Sequence, residues 1–310
     1  MHLVIPFAAP LSEPGRAALG ALSLPTFEAL LARLEPAERD EGDEYQLSPP
    51  HERALARAWG WHGADGRLPF AARAAEADGI EPLDHAWGLM SPVHWQVGAE
   101  HLRMGDPDAL GLDAAESRAF FDAVRPLFES EGYACAWGAP TRWYVAHASL
   151  ADLPTASLDR VIGRNPDLWM PEPAAARPLK RLQSELQMLL YTHPLNEARE
   201  ARGSDPLNSI WVSGSGRRQP LREDEPVTVD ARLRAPALRE DWDAWRAAWR
   251  SLDDGPLREA LERLRDGAPL RLTLCGERCG QSFVAGPRGV LASLRARFAA
   301  PRAAALLQDL

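Results

Sequence analysis

His193 to Arg218 reads H-P-L-N-E-A-R-E-A-R-G-S-D-P-L-N-S-I-W-V-S-G-S-G-R-R. Pro194 suits a first helical turn, so the spacing predicts a short helix from Leu195 to Arg202 that ends at Gly203. Asn208 to Val212 then reads as a strand. Gly214-Ser215-Gly216 reads as a glycine-rich turn, with Arg217 and Arg218 behind it. Nowhere else in the chain are groups able to hold an anion so concentrated.

His193, Asn196 and Arg199 fall on one helix face at spacings of three. Asn196 offers a donor and an acceptor, and Arg199 a planar fork of donors. Glycines after a strand can turn backbone N–H groups toward an anion. The candidate ligand-binding set is therefore His193, Asn196, Arg199, Asn208, Gly214, Ser215, Gly216 and Arg217. Arg199 and Arg217 would neutralise charge, Asn196 and Asn208 would orient the ligand, and the glycines would admit backbone amides. The same residues also have a purely structural reading, with Gly203 as a C-cap, Asn208 in a turn and Gly214–Gly216 as a tight bend. No Lys-Ser/Thr pair follows the glycines, which excludes a P-loop.

Outward from that stretch, His2 to Phe7 reads as a buried strand at the start of an α/β sheet. Phe27, Leu30, Leu31 and Leu34 are spaced as one helix face. Glu35 to Pro50 reads as an acidic loop without the ligand spacing of a calcium site. Helices are predicted from His51 to Trp59 and from Pro69 to Asp78. Ala86 to Met104 reads as paired strands containing His94 and His101. Asp113 to Glu131 is an amphipathic helix with Asp113 as its N-cap and an apolar face of Phe120, Phe121, Val124 and Leu127. Tyr133–Trp137 and Arg142–Ala146 read as two more strands.

A proline-rich linker then leads, by way of a short helix at Leu158–Gly163, to a helix from Pro178 to Tyr191. Beyond Arg218 come a polar loop at Glu223–Glu225, a short strand at Val227–Val229 and a helix carrying Trp242, Trp245 and Trp249. A helix over Pro256–Arg265, a strand over Leu270–Cys275 and helical material over Arg288–Leu310 follow. The expected division is 1–85 and 151–310 as an α/β core, with 86–150 as a small inserted α+β domain.

With 310 residues and 45% hydrophobic composition, the chain can bury a sizeable core. A net charge of -9 argues against a nucleic-acid partner. Lys180 is the only lysine, so anion contacts fall to arginine, whose fork suits phosphate and carboxylate. No apolar run reaches the roughly 20 residues of a membrane span. Three cysteines, Cys135, Cys275 and Cys279, suit a reducing compartment. With no signal peptide visible, the expected location is the cytoplasm.

Cys275 and Cys279 form a C-x-x-x-C with no second ligand pair for zinc, and read as structural thiols. No nucleophile elbow is present, and no spacing selects a catalytic triad. The tryptophans at i, i+3 and i+7 read as core. No cofactor is expected.

The pattern H-P-L-N-x-x-R…G…P-L-N-S-I-W-V-S-G-S-G resembles the shorter type of cofactor-independent phosphoglycerate mutase. D-E-Y-Q-L-S-P-P-H-E-R-A-L-A-R, T-A-S-L-D-R-V-I-G-R-N and L-Q-S-E-L-Q-M-L-L-Y-T-H-P-L-N extend the resemblance, over nearly the whole chain, to RpfE-type bacterial proteins, a group labelled regulatory or mutase-like. The mutase resemblance implies an alkaline-phosphatase-like α/β core with a mostly parallel or mixed sheet, a two-metal site and a Ser nucleophile. This chain departs at each of those places. Pro6-Phe7-Ala8-Ala9 stands where an Asp-Gly metal turn belongs, Pro49-Pro50-His51-Glu52 where the nucleophile belongs, with Ser48 displaced, and Cys275-Gly276-Glu277-Arg278 where an Asp-His pair belongs. The resemblance thus implies a protein that binds a phosphorylated or carboxylated metabolite, or a protein partner, without metal-dependent turnover. An active enzyme rebuilt around His51, His94 or His193 is the alternative, and a scaffold protein the third.

Overall fold

A computed structural model describes residues 1–98, 102–170, 174–222, 226–286 and 303–310. His101, the loop Glu223–Glu225 and the helix expected from Arg288 as far as residue 302 lie outside the described residues. The fold class is α/β, with a mixed sheet flanked by helices. Two compact units divide the chain: Met1–Tyr45, Pro49–Gly60 and Leu221–Leu310 form unit 1, and Gln46–Ser48 with Trp61–Pro220 form unit 2.

Unit 1 is built on a five-stranded sheet. Its strands are β1 (His2–Ile5), β2 (Leu34–Asp40), β9 (Val227–Val229), β10 (Arg271–Cys275) and β11 (Gly280–Ala285), in the order β2-β11-β10-β1-β9. β1 runs parallel to both β9 and β10, while β11 is antiparallel to β10 and β2. Strand alternation sends Leu3, Ile5, Leu272, Leu274 and Phe283 to one face. There they pack with Phe27, Leu30, Trp245, Trp249, Leu252 and Leu257. These come from α2 (Pro25–Leu31), α10 (Trp242–Asp254) and α11 (Pro256–Arg265). Each such fully buried Leu or Phe side chain stabilises the fold by about 1.5–3 kcal/mol. The tryptophan stripe is core, as its spacing predicts: Trp245 and Trp249 are fully buried, with edge-to-face ring centroids 6.1 Å apart.

Helix α2 begins at Pro25, and the preceding Leu24 has no side chain able to cap it. Asp253 of α10 does so instead, accepting from Thr26 N at 3.2 Å and Phe27 N at 2.7 Å. Helix α3 (Pro50–Trp59) contacts β1, β10 and β11. The part of the acidic loop expected from Glu35 that forms β2 is an edge strand. Its exposed charges and Pro36 are what such an edge tolerates, and its partner β11 carries Phe283 and Val284.

Unit 2 holds a four-stranded antiparallel sheet, β6-β7-β3-β8, made of β3 (Ala86–Val93), β6 (Ala134–Ala139), β7 (Arg142–Ala146) and β8 (Ser209–Arg217). A separate hairpin joins β4 (Trp95–Val97) to β5 (Leu102–Met104). One face of the sheet packs on α5 (Ala114–Glu129) and α7 (Arg177–Tyr191) through Phe120, Phe121, Val124, Leu182, Leu186 and Ile210. Asp113 caps α5 by accepting from Glu116 N at 2.8 Å, as its sequence predicts. Buried Ser117 accepts from Trp137 Nε1 at 3.0 Å and Trp143 Nε1 at 2.9 Å, and donates to Pro140 O at 2.8 Å.

The division expected at 85/86 and 150/151 is corrected. The inserted unit runs from Trp61 to Pro220, because β8 pairs with β3 and α4 (Phe70–Ala77) packs on both. No helix among the described residues is long and apolar enough to cross a membrane.

Candidate functional site

The His193–Arg217 stretch is placed entirely in unit 2. His193 precedes α8 (Pro194–Ala201), and its Nδ1 accepts from Leu195 N at 3.3 Å. Buried Asn196 donates to Leu190 O at 2.9 Å and Leu207 O at 2.7 Å, and accepts from Leu207 N at 2.9 Å. Arg199 is 0% exposed. Its guanidinium donates to Asp205 O at 2.7 Å, Leu110 O at 2.6 Å and Glu116 Oε2 at 2.7 Å. Arg202 also pairs with Glu116. Asn208 clamps Trp95, accepting from its N at 2.7 Å and donating to its O at 2.9 Å.

Gly214, Ser215 and Gly216 continue β8 rather than forming the expected turn. The physical reason is contact with α4: a Cβ on Gly214, whose φ is 63°, would lie 2.8 Å from Ala71 N. The glycines let the helix close on the strand, and Ser215 N donates to Thr155 Oγ1 at 3.2 Å. Arg217 donates to Asp84 O. His193, Asn196 and Arg199 thus come together as braces around α8, while Gly214–Arg217 lie at the other end of β8. The amide nitrogen of Asn196 and all three guanidinium nitrogens of Arg199 already donate to protein oxygens. His94, named for a rebuilt centre, has its Nδ1 2.7 Å from Pro206 O.

The places where the mutase resemblance implies metals and a nucleophile are also built from other chemistry. At the carboxyl end of β1, Phe7 adopts φ 57°, a region that a bulky residue rarely occupies. Its carbonyl accepts from Trp245 Nε1 at 3.0 Å, and its ring lies 5.4 Å from that of His51. At the end of β10, burial pushes the Cys275 thiol up to about 12, so it stays protonated. Glu277 Oε1 accepts from Leu11 N at 3.0 Å. Ser48, in unit 2, accepts from Gly66 N at 2.9 Å. Among the described residues no three His, Cys, Asp or Glu side chains gather as a metal ion requires. This donor set does not fit a two-metal centre.

A third place, missed in the sequence, lies within unit 1. A cavity of about 240 Å³ opens between the sheet and α3, lined by His2, Glu38, Ala54, Arg57, Arg222 and Arg271 together with Thr273 and Ser282. It occupies the sheet face opposite the apolar core, and alternation places His2, Thr273 and Ser282 there. His2 Nε2 is 2.8 Å from Thr273 Oγ1, which is 2.8 Å from Ser282 Oγ. Arg57 is held by Glu38 at 2.8 Å and Asp40 at 3.2 Å. The backbone N of Arg222 donates to Trp59 O at 2.9 Å, and its exposed guanidinium has no partner among the described residues. Gly60, at φ 75°, makes room for it: a Cβ there would lie 2.8 Å from the Arg222 side chain. The available signal was slight: Arg271 and Thr273 alternate around Leu272 in β10, and His2 stands at the head of an otherwise apolar β1.

No protein-family model matches the chain, and no curated protein matches it. Among solved structures, a cofactor-independent phosphoglycerate mutase from Thermoplasma acidophilum is similar at 15% identity and TM-score 0.38, covering 94% of each chain. The PH0037 protein of Pyrococcus horikoshii is similar at 13% identity and TM-score 0.45, covering 92% of this chain and 87% of its own.

Proposed function

We propose that this chain is a binding protein on an alkaline-phosphatase-like core. In this reading it takes up a phosphorylated or carboxylated small metabolite and does not turn it over by a two-metal mechanism. The observation that carries the reading is the chemistry at the carboxyl ends of β1 and β10. Phosphoryl transfer by paired metals needs several charged ligands to neutralise the developing charge. Here the corresponding positions hold a phenylalanine ring against His51, a protonated buried thiol and a carboxylate hydrogen-bonded to a backbone amide. Those groups lock strand ends in place and offer little to a phosphoryl oxygen. The resemblance to RpfE-type proteins adds a regulatory role to the same reading.

The test is turnover of phenyl phosphate and of the phosphoglycerates by the full chain, with and without manganese or zinc, beside metal analysis of the purified protein. The expected result is no metal-dependent rate above the blank and no rise in Tm on adding either metal. Metal-dependent turnover that disappears in His51→Ala would overturn the reading in favour of a rebuilt enzyme.

A further inference from the structure

We propose that the cavity between α3 and the five-stranded sheet of unit 1 is a binding site for a small phosphomonoester. The proposal rests on the anion-binding reading above and gives it a place and a ligand class. Three arginines line the cavity from different elements: Arg57 from α3, Arg222 from the segment preceding β9, and Arg271 from β10. Arg57 is already offset by Glu38 and Asp40, which fixes its orientation and removes most of its free charge. Arg222 is not offset by any described side chain. Its backbone is clipped to the last turn of α3, and Gly60 leaves its stem the room it occupies. The planar arginine fork loses less freedom per hydrogen bond formed than a lysine does when it takes an anion.

The floor of the cavity points the same way. When His2 Nε2–H donates to Thr273 Oγ1, the Thr273 proton passes toward Ser282. The Ser282 hydroxyl proton is then left for a group in the cavity, which it lines. With that tautomer the site offers one hydroxyl donor from the floor beside the arginines at its sides. A carboxylate has two oxygens in one plane. A phosphomonoester carries a charge of about -1.5 to -2 and three terminal oxygens, which match donors arriving from several directions. The volume is far above the ~10–15 Å³ that one water needs, and admits a small organic phosphate.

The experiment is calorimetric titration of the full chain with inorganic phosphate, phenyl phosphate and benzoate at constant ionic strength. Wild type, Arg222→Ala, Arg271→Ala and the distant surface control Arg258→Ala are compared, each first shown to melt cooperatively. Both phosphates are expected to bind, with benzoate at least tenfold weaker. Arg222→Ala and Arg271→Ala are each expected to weaken phosphate binding tenfold or more, and Arg258→Ala to leave it unchanged. Absence of phosphate binding, equal affinity for benzoate, or indifference to Arg222→Ala would each overturn the site. Metal-dependent turnover in the earlier assay would sink the non-enzymatic reading alone, because arginine-dependent binding is read independently of it.

Discussion

Arg199 and Arg222 show how differently one residue type is used in the two units. Arg199 belongs to the densest polar stretch in the chain, yet each of its three guanidinium nitrogens donates to a carbonyl or a carboxylate. Arg222 belongs to no motif, and its guanidinium has no partner among the described residues. The contrast teaches that polar residues close in sequence readily satisfy one another, because local geometry brings them together. The cavity is instead assembled from residues 2, 57, 222, 271, 273 and 282, which only the tertiary fold makes neighbours.

The comparison breaks or sharpens under substitution. Arg199→Ala is expected to destabilise the protein by about 3–5 kcal/mol, because it strips a buried ion pair from Glu116 and orphans two carbonyls. Urea unfolding measures this. A loss below about 1 kcal/mol together with weakened phosphate binding would return the ligand site to that stretch. Asn196→Ala is expected to cost about 2–3 kcal/mol, since the Leu207 amide and two carbonyls lose their partner.

Asp78 gives a pH-dependent version of the same test in unit 2. Two hydrogen bonds from Arg142 hold its carboxyl below its ordinary value, and Tyr144 adds a third at 2.6 Å against the opposing effect of burial. A lowered folded value means that the stabilisation is fully present above the ordinary carboxylate range and is lost as pH falls through the folded value. Asp78→Asn should therefore be about 1–2 kcal/mol less stable than wild type at pH 7, with the gap closing below about pH 4. Denaturation at pH 7 and pH 3 reads it. At the small end, Arg222→Ala should change stability by no more than about 0.5 kcal/mol. A larger loss would show that Arg222 is a structural brace like Arg199.

These residues also show what the sequence reveals. Helix α5 was legible because cap and stripe are local signals: Asp113, Glu116 and the run from Phe120 to Val124 lie within four turns. β1 is legible as a buried strand and β10 by its alternation. β2 was not, because L-E-P-A-E-R-D carries no apolar alternation. It is a strand only by virtue of β11, which lies some 240 residues away. In sequence Gly214–Gly216 reads as a turn because glycine serves both bends and close approaches. Only α4, lying on β8, decides between them. The cavity was illegible for the same reason, since its polar face exists only once strands 271 residues apart stand side by side.

That separation also sets an order of events during synthesis. β1 leaves the ribosome before the other described strands, but the strands that flank it, β9 and β10, are made only after all of Trp61–Pro220. At ~5–20 residues per second this leaves an apolar L-V-I segment without its neighbours for tens of seconds. The four strands of the other sheet are all available by Arg217, so that unit can close while its host is still incomplete.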